Sequence, residues 1–363
     1  MVAAQAMGIA VTGGMQNSKV KMQTFRGWRR GGVTGAAFVT ERRPRIWCLH
    51  FAFCILHFVF LSSASAGERY ALIISGVAGG EKYAEQQKKW SEDLTQALRN
   101  TFIFSEANVV VLSEEGTGTS KATAENVRRL LGDLRRRLTR DDFLMIVLIG
   151  HGTFDGEAAK FNLVGPDMTA VDWKSVLGSI PGRMVVVNTT ESSYPFLEEL
   201  SERGRVVITA TDSVAQRFAT VFPEHFVRGL SDLSADFDKN GRISIWEAFA
   251  SASASVKNHY EQRGQLSTER PVLDDNGDKV GREAEAPGPD GTLARSVYLD
   301  ADPGTITADV ALAGLQRRRA ALEAQLEELK SKRDSLSPED YEAQLERVLV
   351  ELARVARQIR QRS

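Results

Sequence analysis

The chain has 363 residues, enough for one substantial core with appendages, and its 42% hydrophobic and 26% charged residues are an ordinary globular composition. Its 46 Lys and Arg balance 47 Asp and Glu, yet eight of the basic residues precede residue 46, where Glu41 is the only acid. Beyond residue 66 the balance is 38 basic to 46 acidic, a net charge of −8, which excludes the basic footprint of a nucleic-acid binder.

Ile46 to Leu61 is an uncharged apolar run of sixteen residues, followed by Ser62-Ser-Ala-Ser-Ala66. The run is shorter than the ~20 residues of a spanning helix. Basic, apolar and small residues in that order read as a secretory signal cleaved after Ala64-Ser65-Ala66. The expected destination is periplasmic or extracellular, with membrane attachment only if the segment stays uncleaved. The stretch before Ile46 is long for such a signal, so Met15 and Met22 are alternative starts. Both cysteines, Cys48 and Cys54, lie within the run, so the mature chain is expected to hold neither disulfides nor reactive thiols.

Tyr70 to Ser75 reads as a buried first strand with a glycine-rich exit at Gly76, Gly79 and Gly80. Helical spacing of Trp90, Leu94 and Leu98 places a helix over Lys82 to Asn100, and Asn108 to Leu112 is a second strand. A Thr-x-x-Asn start at Thr123 opens a helix to Leu138, with Val127, Leu130, Leu131, Leu134 and Leu138 on one face. Strands follow at Phe143–Leu148, Met184–Val187 and Arg205–Ala210. Helices are expected at Val171–Leu177, Pro195–Glu202, around Phe218–Leu233 and over Ile245–Tyr260. The alternation predicts an α/β fold, with a mostly parallel sheet covered on both faces.

Arg270 to Thr292, rich in Asp, Gly and Pro, reads as a loop within a linker, 270–305, that also holds a final strand. Beyond it Leu315, Leu322, Leu326, Leu329 and Leu336 repeat at heptad spacing. Ser337-Pro-Glu-Asp340 then caps a second amphipathic helix carrying Tyr341, Leu345, Val348, Leu352, Val355 and Ile359. An antiparallel helical hairpin over 306–363 is predicted, able to fold on itself, dock on the core or self-associate.

The chemistry-bearing residues stand at two strand ends. Phe143-Leu-Met-Ile-Val-Leu-Ile-Gly-His-Gly152 ends in His151 and Gly152, and Val187-Asn-Thr-Thr-Glu-Ser-Ser-Tyr-Pro-Phe196 ends in a hydroxyl cluster. Carboxyl ends of strands are where open α/β sheets gather ligands. Taken alone, Gly150-His151-Gly152 is a tight turn, and Thr190, Ser192 and Ser193 are turn formers before a helix. Together with the helix and Arg-Asp-Asp turn upstream, these segments resemble the caspase, metacaspase and legumain clan of cysteine peptidases. The resemblance spans roughly residues 69 to 260. Val187 to Phe196 aligns without a gap on the legumain pattern Val-Glu-Ala-Cys-Glu-Ser-Gly-Ser-Met-Phe. Glu191, Ser192 and Phe196 match it, Ser193 replaces a glycine, and Thr190 falls on the cysteine.

The resemblance implies a caspase-like domain over 67–269, with His151 as the proton-handling residue and a peptide or protein segment in the cleft. It also implies a lost nucleophile. A threonine hydroxyl has a far higher pKa than a thiol, its methyl crowds attack, and a histidine seldom activates it without an orienting acid. Asp155 and Glu191 are the two candidate acids. A non-catalytic clan member is therefore the leading expectation. A hydrolase using His151 with Thr190, Ser192 or Ser193 is the second, and a calcium-stabilised structural protein of the cell envelope the third.

The third reading arises from Asp236-Phe-Asp-Lys-Asn-Gly-Arg-Ile-Ser-Ile-Trp-Glu247, which matches the twelve-residue EF-hand loop. Its ligands would be Asp236, Asp238, Asn240, the Arg242 carbonyl, Ser244 and a bidentate Glu247, with Gly241 at the turn and Ile243 as apolar anchor. Helices at Glu224–Leu233 and Ile245–Tyr260 supply the flanks. The bound cation would be a structural Ca²⁺. Asp274 to Asp278 is not read as a second such loop.

Overall fold

The computed structural model of the chain describes residues 67–301 and 310–361. The signal-type segment with Cys48 and Cys54, and the first residues assigned to the hairpin, lie outside them. A six-stranded sheet forms the centre, in the order β2 (Val109–Leu112), β1 (Arg69–Ser75), β3 (Phe143–Ile149), β7 (Arg183–Asn188), β8 (Arg205–Thr209), β9 (Val272–Asp274). Five strands run parallel and β9 is antiparallel to β8. This is the layout that the clan resemblance implies, with the histidine strand beside the strand that should carry the nucleophile.

Side-chain alternation divides the core into two layers. On one face Ile73, Met145, Val147, Val185, Val187, Val206 and Ile208 pack against α1 (Glu81–Gln96), α5 (Phe222–Gly229) and α6 (Ile245–Glu261). On the other, Leu72, Ile74, Leu144, Ile146, Leu148, Val186 and Val207 meet α2 (Ala124–Arg137), α3 (Ala170–Leu177) and α4 (Tyr194–Leu200). β3 is buried along its whole length, as its unbroken apolar sequence demands of a central parallel strand.

Helix starts follow local chemistry. The Thr123 hydroxyl accepts from Asn126 N, and a capping box joins Thr169 to Asp172. Three elements differ from expectation. The first helix ends at Gln96 and widens into a π-type turn over Ala97–Thr101, and Phe102 and Phe104 beyond it are buried in the core. The helix expected around Phe218–Leu233 spans only Phe222–Gly229, entered at Pro223. A second, three-stranded antiparallel sheet of β4 (Gly152–Phe154), β5 (Ala159–Phe161) and β6 (Met168–Thr169) follows His151 directly.

The stretch read as a loop holds β9 and a network of buried acids. Asp274 accepts from Asn276 N, Gly277 N and Lys279 N; Asp275 accepts from Gly291 N and Ala294 N, at the start of α7 (Thr292–Ser296). Asp290 pairs with Arg282 at 2.5 Å. The chain ends in the expected hairpin, α8 (Val310–Ser331) packed along α9 (Pro338–Arg360), with Leu322, Leu329 and Val355 buried. Among the described residues no helix is long and apolar enough to cross a membrane.

Candidate functional site

Register brings the two motifs together. Leu148 of β3 lies opposite Asn188 of β7, and Thr189 donates from its N and Oγ1 to the Leu148 carbonyl at 3.1 and 2.7 Å. His151 and Glu191 each lie three residues beyond that pair, so equal overhangs make them meet: His151 Nδ1 is 2.8 Å from Glu191 Oε1. The other ring nitrogen, Nε2, is 3.0 Å from the Ala78 carbonyl. Both partners are acceptors, so only the doubly protonated ring donates to each of them. The Glu191 hydrogen bond raises the His151 pKa above its ordinary value against the opposing effect of burial. The ring edge meets Tyr83, with centroids 4.8 Å apart.

Thr190, at the degenerate nucleophile position, is fully buried and directed elsewhere. Its Oγ1 lies 2.8 Å from Asn188 Oδ1 and 3.2 Å from the Glu191 carbonyl, and it makes no hydrogen bond with His151. Gly152 is packed against it: a Cβ there would lie 2.5 Å from Thr190 Oγ1 and 2.3 Å from the Glu191 carbonyl. Ser192 is also buried, donates to the Val214 carbonyl at 3.3 Å, and has a φ of 52°, a left-handed conformation uncommon outside glycine. Ser193 Oγ pairs with Thr211 Oγ1 at 2.9 Å. Neither serine meets His151. Of the two candidate acids, Asp155 sits in the β4–β5 turn and pairs with Lys160 at 2.6 Å; Glu191 alone orients the histidine.

Sequence reasoning passed over Glu269, a buried acid behind this turn. Its carboxylate accepts from Val221 N, Phe222 N and the Tyr260 hydroxyl, and burial pushes its pKa up to about 7. Its signal was weak, an acid inside a polar segment with no spacing to link it to Phe222.

The loop from Asp236 to Glu247 adopts the turn its sequence implies. Asn240 N and Gly241 N donate to Asp236, Gly241 has a φ of 84°, and Ile243 is buried. Side-chain oxygens of Asp236, Asp238 and Glu247 lie within 4.8 Å of one another. Burial first, then the charges of Glu247 and Asp236, raises the Asp238 pKa to about 6. An all-oxygen set of crowded acids suits a hard divalent cation. Ser244 caps α6 through a reciprocal bond with Glu247, and Arg242 pairs with Asp300 rather than with the loop acids. Asn240 extends to the Tyr298 hydroxyl, and its carbonyl accepts from Arg319 of the hairpin at 2.7 Å.

The stretch from Asp274 repeats part of this design. Lys279, sixth in the count, takes a φ of 65°, and Glu285, twelfth, pairs with Lys257 instead of folding back. The carboxylates of Asp274 and Asp275 hold backbone N–H groups in place of a closing ligand set.

The fold and site together describe a mixed α/β protein with a histidine–glutamate pair at the ends of adjacent parallel strands. The chain is similar to caspase-1 from Spodoptera frugiperda, at 8% identity and a TM-score of 0.39, over 60% of this chain and 90% of that one. It is also similar to protein GSU0716 from Geobacter sulfurreducens, at 12% identity and a TM-score of 0.38, over 60% and 97% of the two chains. No family model matches the sequence, and no curated protein matches it.

Proposed function

We propose that this is an exported, non-catalytic member of the caspase-like fold that binds a peptide or protein segment at the turn around His151. The occupied histidine carries the reading. Both imidazole nitrogens face acceptors, and the Thr190 hydroxyl is bonded to Asn188 and the Glu191 carbonyl. A general base needs a free lone pair within reach of the proton it takes. Here the ring is held as a cation that braces Glu191 and Ala78. The partly exposed rings of Tyr83 and His151 form the rim that a bound segment would touch. In the same reading Ca²⁺, held by Asp236, Asp238, Asn240, Ser244 and Glu247 with the Arg242 carbonyl, supplies positive charge that fixes the loop and the start of α6.

Peptide-library cleavage by the wild-type chain, His151→Ala and Thr190→Cys, with calcium, tests the proposal. No turnover by the wild type is expected. Cleavage by Thr190→Cys alone would mark the cleft as competent apart from its nucleophile. Wild-type turnover that vanishes in His151→Ala would sink the reading in favour of a hydroxyl nucleophile.

A further inference from the structure

At the amino ends of β1, β3 and β7 a cavity of about 1210 Å³ opens between the sheet, the loop 236–247 and the hairpin. Pockets for small organic ligands commonly measure ~300–1,000 Å³, so the space is ample for one. Its lining differs in charge from the rest of the molecule. Nine basic and six acidic side chains border it, a net charge of +3, whereas the chain beyond residue 66 carries −8.

Some of these cations have no acid in contact. Arg69 donates to the carbonyls of Phe102, Ile103 and Leu299 and stacks on Phe104, with no carboxylate among its partners. Arg183, at the start of β7, makes no ion pair among the described residues. Register places both opposite Phe143, so they point to the same face two strand spacings apart, about 10 Å. Three of the acids, Asp300, Glu323 and Glu327, are held by Arg242, Arg319 and Lys330.

The hairpin supplies an apolar wall. Ala320 and Ala324 of α8 and Leu352, Ala353 and Ala356 of α9 border the cavity. From the core side Ile103 and Phe237 border it while 65% and 57% exposed. Ile103 has a φ of 53°, a left-handed conformation that a β-branched residue adopts only under constraint. Large apolar side chains left open beside unpaired cations fit a ligand with a negative group and a hydrocarbon body.

We propose that this cavity binds a single-chain anionic amphiphile of the long-chain carboxylate type, with its head at Arg69 and Arg183 and its chain along the alanine wall of α8 and α9. The guanidinium groups select the head by charge and by paired hydrogen bonds. Each methylene buried against the hairpin adds affinity. The site is independent of the His151 turn and of calcium.

Titration calorimetry of the full chain with laurate, in calcium-free buffer, tests it. One laurate per chain is expected, with a dissociation constant of about 100 µM or below. Octanoate, shorter by four methylenes, should bind at least about tenfold more weakly. So should dodecyltrimethylammonium, at least about tenfold, because its head is positive. Arg183→Glu reverses the charge at the head and Ala353→Trp fills the wall; each should weaken laurate at least about tenfold at an unchanged melting temperature. Absence of laurate binding, equal binding of the cationic chain, or an affinity that neither substitution alters overturns the proposal. Retention on phosphatidylglycerol vesicles without uptake of soluble laurate also overturns it, and assigns the surface to a bilayer instead.

Discussion

At the scale of single residues the site is a proton-holding pair. The His151 pKa is raised chiefly by its bond to Glu191, so the stability this pair contributes is complete below the ordinary imidazole value and is lost as pH climbs through the raised one. Glu269 acts in the same sense: its carboxyl, raised to about 7 by burial, contributes fully below the ordinary carboxylate value and loses that contribution as pH passes about 7. Thermal unfolding followed from mildly acid to mildly alkaline pH should show a falling midpoint. Glu191→Gln and Glu269→Gln should each flatten the fall, and a profile unchanged in both variants would contradict the assignment. Gly152→Ala is expected to destabilise by about 1–3 kcal/mol, because its Cβ would strike the Glu191 carbonyl, which is backbone and cannot swing aside. Denaturant titration at fixed pH measures that loss.

At the scale of elements, the proposed calcium site in the loop 236–247 gives the sharpest expectation. Saturating calcium should raise stability by roughly 2.7 kcal/mol at a hundredfold excess over its dissociation constant. Glu247→Gln should remove most of that increment, and the calcium-free variant shows separately what the weakened α6 cap costs. Absence of any calcium-dependent shift in the wild type would dismiss the cation from the proposal. The elements legible in the sequence were those with long periodic signals: β1, β3, β7 and β8 as apolar runs, α2 from its Thr123 cap, and α9 from Ser337. The short ones were not. β4, β5 and β6 have three or fewer residues, too few to display a period of two, although Asp155-Gly156 between Phe154 and Ala159 is a hairpin signal. β9 is three residues inside an acid-rich stretch, and its strand character comes from pairing with β8 and Arg282 rather than from composition. His151 and the Thr190 position stood out because they end long strands; the choice of Glu191 over Asp155 needed the register of β3 against β7.

At the scale of the whole molecule, the parallel sheet separates two working ends. The carboxyl ends of β3 and β7 carry His151 and Glu191. The amino ends, at Arg69, Phe143 and Arg183, border the cavity of about 1210 Å³ that residues of the loop 236–247 and both hairpin helices also line. The hairpin reaches the core through Arg319 on the Asn240 carbonyl and through Glu327, 3.8 Å from Arg295, which stacks on Trp246. Substituting Arg319 with Ala should loosen the hairpin without altering the pH profile of the His151 turn. Faster amide hydrogen exchange confined to α8 and α9 is the expected readout, and equal acceleration around residue 151 would argue that the two ends are not separate.

Leu273 and Arg282 exchange both of their backbone hydrogen bonds, at 2.9 Å each, on the side of β9 away from β8. A sheet margin sealed by its own chain offers no template for strand addition. The protein is thereby protected on that flank against runaway stacking into fibrils, and a crowded compartment would leave its sheet unextended at β9.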